Sequence, residues 1–415
     1  MTTRFSAEIM HLIDRAEREL EAIFKNIERI SRLRTEQVMD AMAARRVSET
    51  DFIPSSGYGY GDAGRDKLDL LYADVFGTEA ALVRPHIVSG THALTIGLFG
   101  LLRPGDTLLS VTGKPYDTLN EVIGISGAEG NGSLKDFGVR YRQLDLTPDS
   151  QVQTDKLLQI LNSDSGVKVV YLQRSRGYEQ RYALSCEQIN RIYDLVKKHS
   201  NAFFVVDNCY GEFVEESEPK ADLLIGSLIK NPGGGFAESG GYLAGTQEAV
   251  DLAAARLTSP GIGAECGASL GQNKNMYRGL FYAPHTVSQA LKTAVLAAYV
   301  FDALGFEVSP KFNDFRSDII ETVTFHLPEK LCEFCRGIQS ASPVDAFVTP
   351  EPWDMPGYDN PVIMAAGAFV QGASIELSAD GPLRPPYTAF FQGGLTYESG
   401  RLAIAAAADR IIKHQ

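Results

Sequence analysis

Along the first stretch of the chain, apolar side chains recur at helical spacing. Ile9, Ile13, Leu20, Ile23, Ile27, Ile30 and Leu33 stand among interleaved acids and bases. That period predicts one or two amphipathic helices over about 5–45, long enough to form an arm packed on a core or on a partner subunit. From Ala80 onward the pattern changes to short apolar runs: AALV, DTLLSV, VRYRQL, VKVVYL, AFFVVD, ADLLIG and GGYLAG. Helical stretches near 91–102, 152–162 and 186–199 lie between several of them. Such alternation predicts an α/β fold with a mostly parallel seven-stranded sheet covered by helices. After about 284, HTVSQALKTAVLAAYVFDAL reads as a long helix, followed by strands such as AFVQGASIEL and a final helix through GRLAIAAAADRII. A chain of 415 residues exceeds the size of one core. The expected division is an N-terminal helical arm (1–50), a large domain (51–290) and a smaller C-terminal α/β domain (291–415).

Charge and composition narrow the function classes. With 39 basic against 52 acidic residues the formal charge is -13, which argues against a general affinity for nucleic acid or an anionic membrane. No apolar run approaches the roughly 18 residues of a membrane span, and the mixed-charge N-terminus lacks a signal-peptide pattern. Cys186, Cys209, Cys266, Cys332 and Cys335 are few and odd in number, as expected of a reduced cytoplasm. Cys332 and Cys335 form a single C-x-x-C, which reads as two cysteines on one helix face, and no metal site is expected. Gly59, Gly61 and Gly64 match G-x-G-x-x-G, but no strand precedes them, so a dinucleotide fingerprint is not supported.

The chemistry lies at the strand ends, where open parallel sheets bind ligands. Asp207 follows AFFVV, Ser227 and Lys230 follow ADLLIG, and SGTHA (Ser89–Ala93) opens a helix after AALVRPHIV. Pyridoxal phosphate asks for all of these together: a lysine to hold its aldehyde as a Schiff base, a carboxylate facing the pyridine nitrogen, and a phosphate cup. Lys230, Asp207 and the Ser89–Gly90–Thr91 turn fill those roles in order. Small residues at a helix start let backbone N–H groups approach a phosphate, and Ser227 is placed to donate to the same group.

The motifs SGTHAL, QRSRGY, VVDNCYGEF and SLIKNPGGG resemble those of the methionine gamma-lyase-related family often called aluminium resistance proteins. That family falls within the carbon-sulfur lyases of the cysteine and methionine metabolism group. The resemblance covers almost the whole chain and implies the aspartate-aminotransferase-type fold (fold type I). It also implies elimination of a thiol from a sulfur-containing amino acid, by the beta or the gamma route. It places Tyr116 against the cofactor ring, and Tyr58 or Tyr60 together with Arg65 in a neighbouring subunit's site. The active unit is then a homodimer or homotetramer.

An amino-acid substrate needs a carboxylate clamp, which the planar fork of arginine suits. Arg384 in GPLRPPYTAF is the first candidate and Arg401 the alternative. QRSRGYEQR packs Arg174, Arg176 and Arg181 after VKVVYL, where relatives often have an asparagine; Arg176 is thereby a further substrate-binding candidate, for a second acidic group. Burial and the cofactor are expected to lower the pKa of Lys230, so that it serves as a base once freed. The same cofactor motifs also serve aminotransferases and other amino-acid reactions, and a non-catalytic cofactor-binding protein is the remaining class.

Overall fold

The computed structural model describes residues 5–355 and 360–413. The chain opens with α1 (Ala7–Glu19) and α2 (Glu21–Ala44), separated by Leu20 alone. Ser6 caps α1 by accepting the Ile9 N–H, which satisfies one of the donors a helix start leaves over. Ile9, Ile13, Leu20 and Ile27 enter the core, as their spacing predicts, while Ile23, Ile30 and Leu33 are half-buried. Next comes α3 (Ala63–Phe76), capped by the Asp62 side chain and stopped by Gly77 in the left-handed region.

The alternating part then runs β1 (Ala80–Arg84), α4 (Gly90–Leu101), β2 (Thr107–Ser110), α5 (Asp117–Ile123) and β3 (Arg140–Gln143). It continues with α6 (Thr154–Ser163), β4 (Val167–Gln173), α7 (Cys186–His199), β5 (Phe203–Asp207), β6 (Leu223–Ser227), β7 (Gly241–Gly245) and α8 (Gln247–Leu257). All seven predicted strands form one sheet in the order β1-β7-β6-β5-β4-β2-β3, in which only β7 runs against its neighbours. Successive residues of one strand feed opposite cores. Val170, Phe204 and Leu224 face one, while Val169, Phe203 and Leu223 face the other. Both faces are therefore dry, which is why the central strands read as unbroken apolar runs.

The helix α9 (Asn273–Ala303) begins well before the predicted His285 and passes through Pro284. Its first half is anchored by buried Met276, Tyr277 and Leu280, so tertiary packing outweighs the break that a proline signals. It crosses positions 290–291 and contacts α2 on one side and the last helix on the other. Beyond it come β8 (Glu307–Ser309), β9 (Glu321–Thr324), α10 (Pro328–Ser340), β10 (Val362–Ala365), β11 (Ser378–Pro382), β12 (Thr388–Gln392) and α11 (Tyr397–Lys413). Their strands form an antiparallel sheet in the order β10-β11-β12-β9-β8.

One predicted strand is corrected. AFVQGASIEL forms turns, because the Glu376 carboxylate accepts the N–H groups of Phe369 at 2.7 Å and Val370 at 2.8 Å and folds the segment on itself. Among the described residues no helix is long and apolar enough to cross a membrane, and no His/Cys/Asp/Glu group suits a metal. All five cysteines are free thiols, and Cys332 and Cys335 lie buried on α10.

Candidate active site

Parallel β4, β5 and β6 bring their carboxyl ends to one edge, with Gln173 paired in register to Asp207 and Asp207 to Ile225. A cavity of about 200 Å³ opens there. Its wall includes Ser89, Gly90 and Thr91 at the start of α4, and Tyr116, Asp207, Ser227 and Lys230. Residues scattered over more than a hundred positions of sequence thus meet in one recess because the strands are parallel and adjacent.

Lys230 leaves β6 through the turn Asn231–Gly233. The glycines after it are demanded by packing. A Cβ at Gly233 would strike the Leu228 carbonyl, and Gly234 sits in the left-handed region (φ 54) against the backbone of α9. The turn thereby points the Lys230 ammonium inward, 3.9 Å from the centroid of the Tyr210 ring. Asp207 accepts the Cys209 N–H at 3.2 Å and the Tyr171 hydroxyl at 3.4 Å. Burial pushes its carboxyl above the usual range and Lys230 pulls it back. For Lys230 the expected direction is corrected. Burial does pull its pKa down, but Cys209, Tyr210 and Asp207 together push it higher than burial lowers it. Burial pushes Cys209 and Tyr210 up as well.

The recess fits a phosphate-bearing group. The Ser227 hydroxyl is buried with no hydrogen-bond partner among the described residues, and it lines the same wall as the start of α4. Ser89 spends its side chain on the His92 N–H at 3.0 Å, which leaves the first backbone N–H groups of α4 to an incoming acceptor. At Gly90 a Cβ would lie 3.5 Å from both Cys209 Sγ and Ser227 Cβ, so a side chain there would narrow the cup. Tyr116 caps the short α5 and is held by its N–H, which donates to Gln173 Oε1 at 2.8 Å.

Six other predicted residues lie elsewhere. Arg65 is 1% exposed and donates to Asp66 and to the carbonyls of Gly59, Gly267 and Glu265, so it ties down its own loop instead of reaching outward. Arg176 is buried against β8 and β9, where its Nη1 donates to the Ser309 carbonyl at 2.9 Å, and it does not line the cavity. Arg401 pairs with Glu17 at 2.8 Å and Asp14 at 2.7 Å, which clamps α11 onto α1. Arg384 stands exposed in a second recess of about 150 Å³ beside Tyr178, whose ring lies 5.6 Å from that of Tyr116. Tyr58 and Tyr60 are exposed and stack on each other, ring centroids 5.5 Å apart, outside the cavity.

Three contributors escaped sequence reasoning. Gln173, last residue of β4, holds Tyr116 and also donates to the Ser175 carbonyl at 3.0 Å. Its strand-end position was the available signal, but the arginines that follow it drew the reading. Tyr210 and Tyr178 are placed by contacts between elements, which no local pattern reports. Arg174 turns away from the cavity into a buried network: it donates to Asn208 Oδ1 at 2.8 Å and pairs with Glu215 at 2.8 Å. Asn208 in turn donates to Glu218 at 2.9 Å, and Glu218 meets Arg34 of α2 at 2.6 Å. The loop that carries Asp207 is therefore fastened to the N-terminal arm.

Comparison with known proteins gives a consistent picture. A family model described as methionine gamma-lyase matches residues 9–412. Protein YnbB of Bacillus subtilis (strain 168) is 52% identical over 403 residues, spanning 96% of this chain and 95% of that one. A crystal structure of a carbon-sulfur lyase involved in aluminium resistance from Clostridium novyi NT superposes with a TM-score of 0.95 at 49% identity, covering 98% of this chain and 96% of that one. The fold alone is shared with the pyridoxal-5'-phosphate-dependent protein YhfS of Escherichia coli, at a TM-score of 0.60 and 16% identity over 92% of this chain and 96% of that one.

Proposed function

Because the chain belongs to the methionine gamma-lyase family, we propose that it is a pyridoxal-phosphate-dependent lyase that breaks the carbon-sulfur bond of a small sulfur-containing amino acid. The observation that carries this reading is the meeting, in one cavity, of a buried lysine, a buried aspartate and an unpartnered serine hydroxyl beside a helix start. Lys230 would hold the cofactor through its amine and Asp207 would face the ring nitrogen. Ser89, Gly90, Thr91 and Ser227 would take the phosphate, with Tyr116 beside the ring. When bound, the cofactor supplies an electron sink for negative charge at the substrate's α-carbon.

The chain's own groups do the rest. A lysine held charged attracts an anionic cofactor, and with Asp207 committed to a cationic ring nitrogen that bias on Lys230 is relieved. Lys230 Nζ is then the base that removes the α proton and the acid that returns one. Asp207, burdened by burial, gains from any positive partner, so the recess favours a protonated ring nitrogen. Arg384 is the proposed anchor for the substrate carboxylate. It lines the second recess beside Tyr178, whose ring neighbours that of Tyr116 at the cavity. The exposed Tyr58–Tyr60 pair supports a surface contacted by a second copy of the chain.

The test combines product analysis with one substitution. Wild-type protein given sulfur amino acids should release thiol, 2-oxo acid and ammonia in equal amounts. Lys230→Ala should lose turnover together with the visible absorbance that borohydride fixes onto residue 230. Transfer of the amino group to an acceptor without thiol release would replace the lyase reading with an aminotransferase.

A further inference from the structure

The loop after β5 carries a side chain to which neither the cofactor roles nor the substrate clamp give a part. Tyr210 stands three positions beyond Asp207, with a positive φ of 72°. A bulky aromatic residue avoids that region, so one found there is held by its surroundings, and such positions gather at functional sites. Among the described residues, eight other than glycine have positive φ, and of these Tyr210 alone lines the cavity.

The backbone around it is fixed from two sides. The Tyr210 carbonyl accepts the Ile319 N–H at 3.3 Å, which ties the loop to the segment ahead of β9. Gly211 follows, with its N–H donating to the Asn208 carbonyl at 3.0 Å and with Arg174 Nε only 2.5 Å from where a Cβ would stand. What this arrangement presents to the cavity is the face of a ring, and Lys230 lies on it. Nζ is 3.9 Å from the ring centroid, whereas the other cation–ring contacts among the described residues run from 4.7 to 5.8 Å. Lys230 is half-buried, so less water competes with the attraction of the ring's negative face for its ammonium.

A lysine on a four-carbon stem has many places to go once its amine is free. A carboxylate beneath it could take up its proton, whereas an aromatic face attracts the ammonium and leaves the proton on nitrogen. We propose that Tyr210 is a positioning residue for Lys230, its ring face serving as the resting place of the free ammonium between proton transfers. This rests on the reading of Lys230 as the acid and base of a lyase. In the transfer the substrate's α C–H bond breaks and leaves its electron pair on the substrate, while the lone pair of Nζ forms the new N–H bond. The ammonium so made lies on the ring until it returns a proton. The role needs the ring and not its hydroxyl.

The experiment changes the charge of the ring face while keeping its shape. Residue 210 is replaced in the full chain by phenylalanine (Tyr210→Phe) and by phenylalanines bearing one, two or three fluorines, which withdraw electrons from the ring in steps. In cofactor-free protein at about pH 8, trace acetic anhydride labels only uncharged amines, and Lys230 is read by peptide mass against the other lysines. Tyr210→Phe should label within about twofold of wild type, and the fluorinated series should climb to about tenfold as the ammonium loses its partner. Tyr210→Leu, with comparable bulk and no ring, should match the most fluorinated protein. With cofactor and substrate, kcat should fall in the same order while KM stays within about twofold. Labelling indifferent to fluorination, or a KM that rises with kcat unchanged, would overturn the assignment, whatever thiol release shows. Stepwise labelling in a protein that releases no thiol would uphold the resting place and count against the lyase reading alone.

Discussion

At the scale of single residues, the site sets one buried cation against one buried anion across a cavity that a ligand must enter. Asp207 is the sharper test, because substituting its isostere removes charge and little else. Asp207→Asn should leave the fold and cofactor binding in place while kcat falls about 10²–10³-fold, the usual cost of deleting one preorganised charge. Single-turnover kinetics with cofactor occupancy read from absorbance would check it. A variant with unchanged kcat would remove Asp207 from the machinery. Gln173 shows how a neighbour can be overlooked. Its register with Asp207 puts it in the wall, yet the arginines beside it carry the louder sequence signal.

At the scale of elements, ion pairs tie α2 to the loop after β5 and α11 to α1. Arg34 of α2 reaches Glu218 with both side chains almost fully buried. Removing one partner strands a charge in the interior, so Arg34→Ala should cost about 3–5 kcal/mol. Urea titration should show a lower midpoint with an unchanged m-value. Arg401 behaves differently, since its pairs with Glu17 and Asp14 are partly solvated. Arg401→Ala should cost only about 0.2–1 kcal/mol and leave KM unaltered. A large rise in KM would restore Arg401 as a substrate ligand.

At the scale of the whole molecule, buried carboxyls set the pH response. Burial pushes Glu212 up to about 8, Glu321 up to about 7 and Asp380 up to about 6. In the unfolded chain such groups titrate near 4. Between about pH 4 and each folded value, the native state holds protons that the unfolded chain has released. Their contribution is therefore fully present below the unfolded pKa and is lost as pH rises through the folded one, by about 1.4 kcal/mol per pH unit per group. Glu212 dominates the upper end, so Glu212→Gln should flatten the decline between about pH 7 and 8. Unfolding free energies of the two proteins at several pH values would settle it, and parallel slopes would count against a protonated Glu212.

The sequence by itself determined the sheet, the strand-end positions of Asp207, Ser227 and Lys230, and the glycine-flanked turn. Each depends on local periodicity and on which residues can follow a buried strand, and those are short-range constraints. Tertiary structure decided where the guanidiniums go. Arg65, Arg176 and Arg401 were each candidates as ligand residues on different grounds, because a charged side chain of that length reaches several partners. Only packing shows that Gly59 and Gly267, Ser309 and Thr322, and Glu17 and Asp14 respectively claim them. The same holds for AFVQGASIEL, whose β-forming composition yields to a carboxylate that binds two of its own amides. Lys230's charge followed the same rule. Burial was foreseeable, but the side chains that outweigh it converge only when β5 and β6 lie side by side.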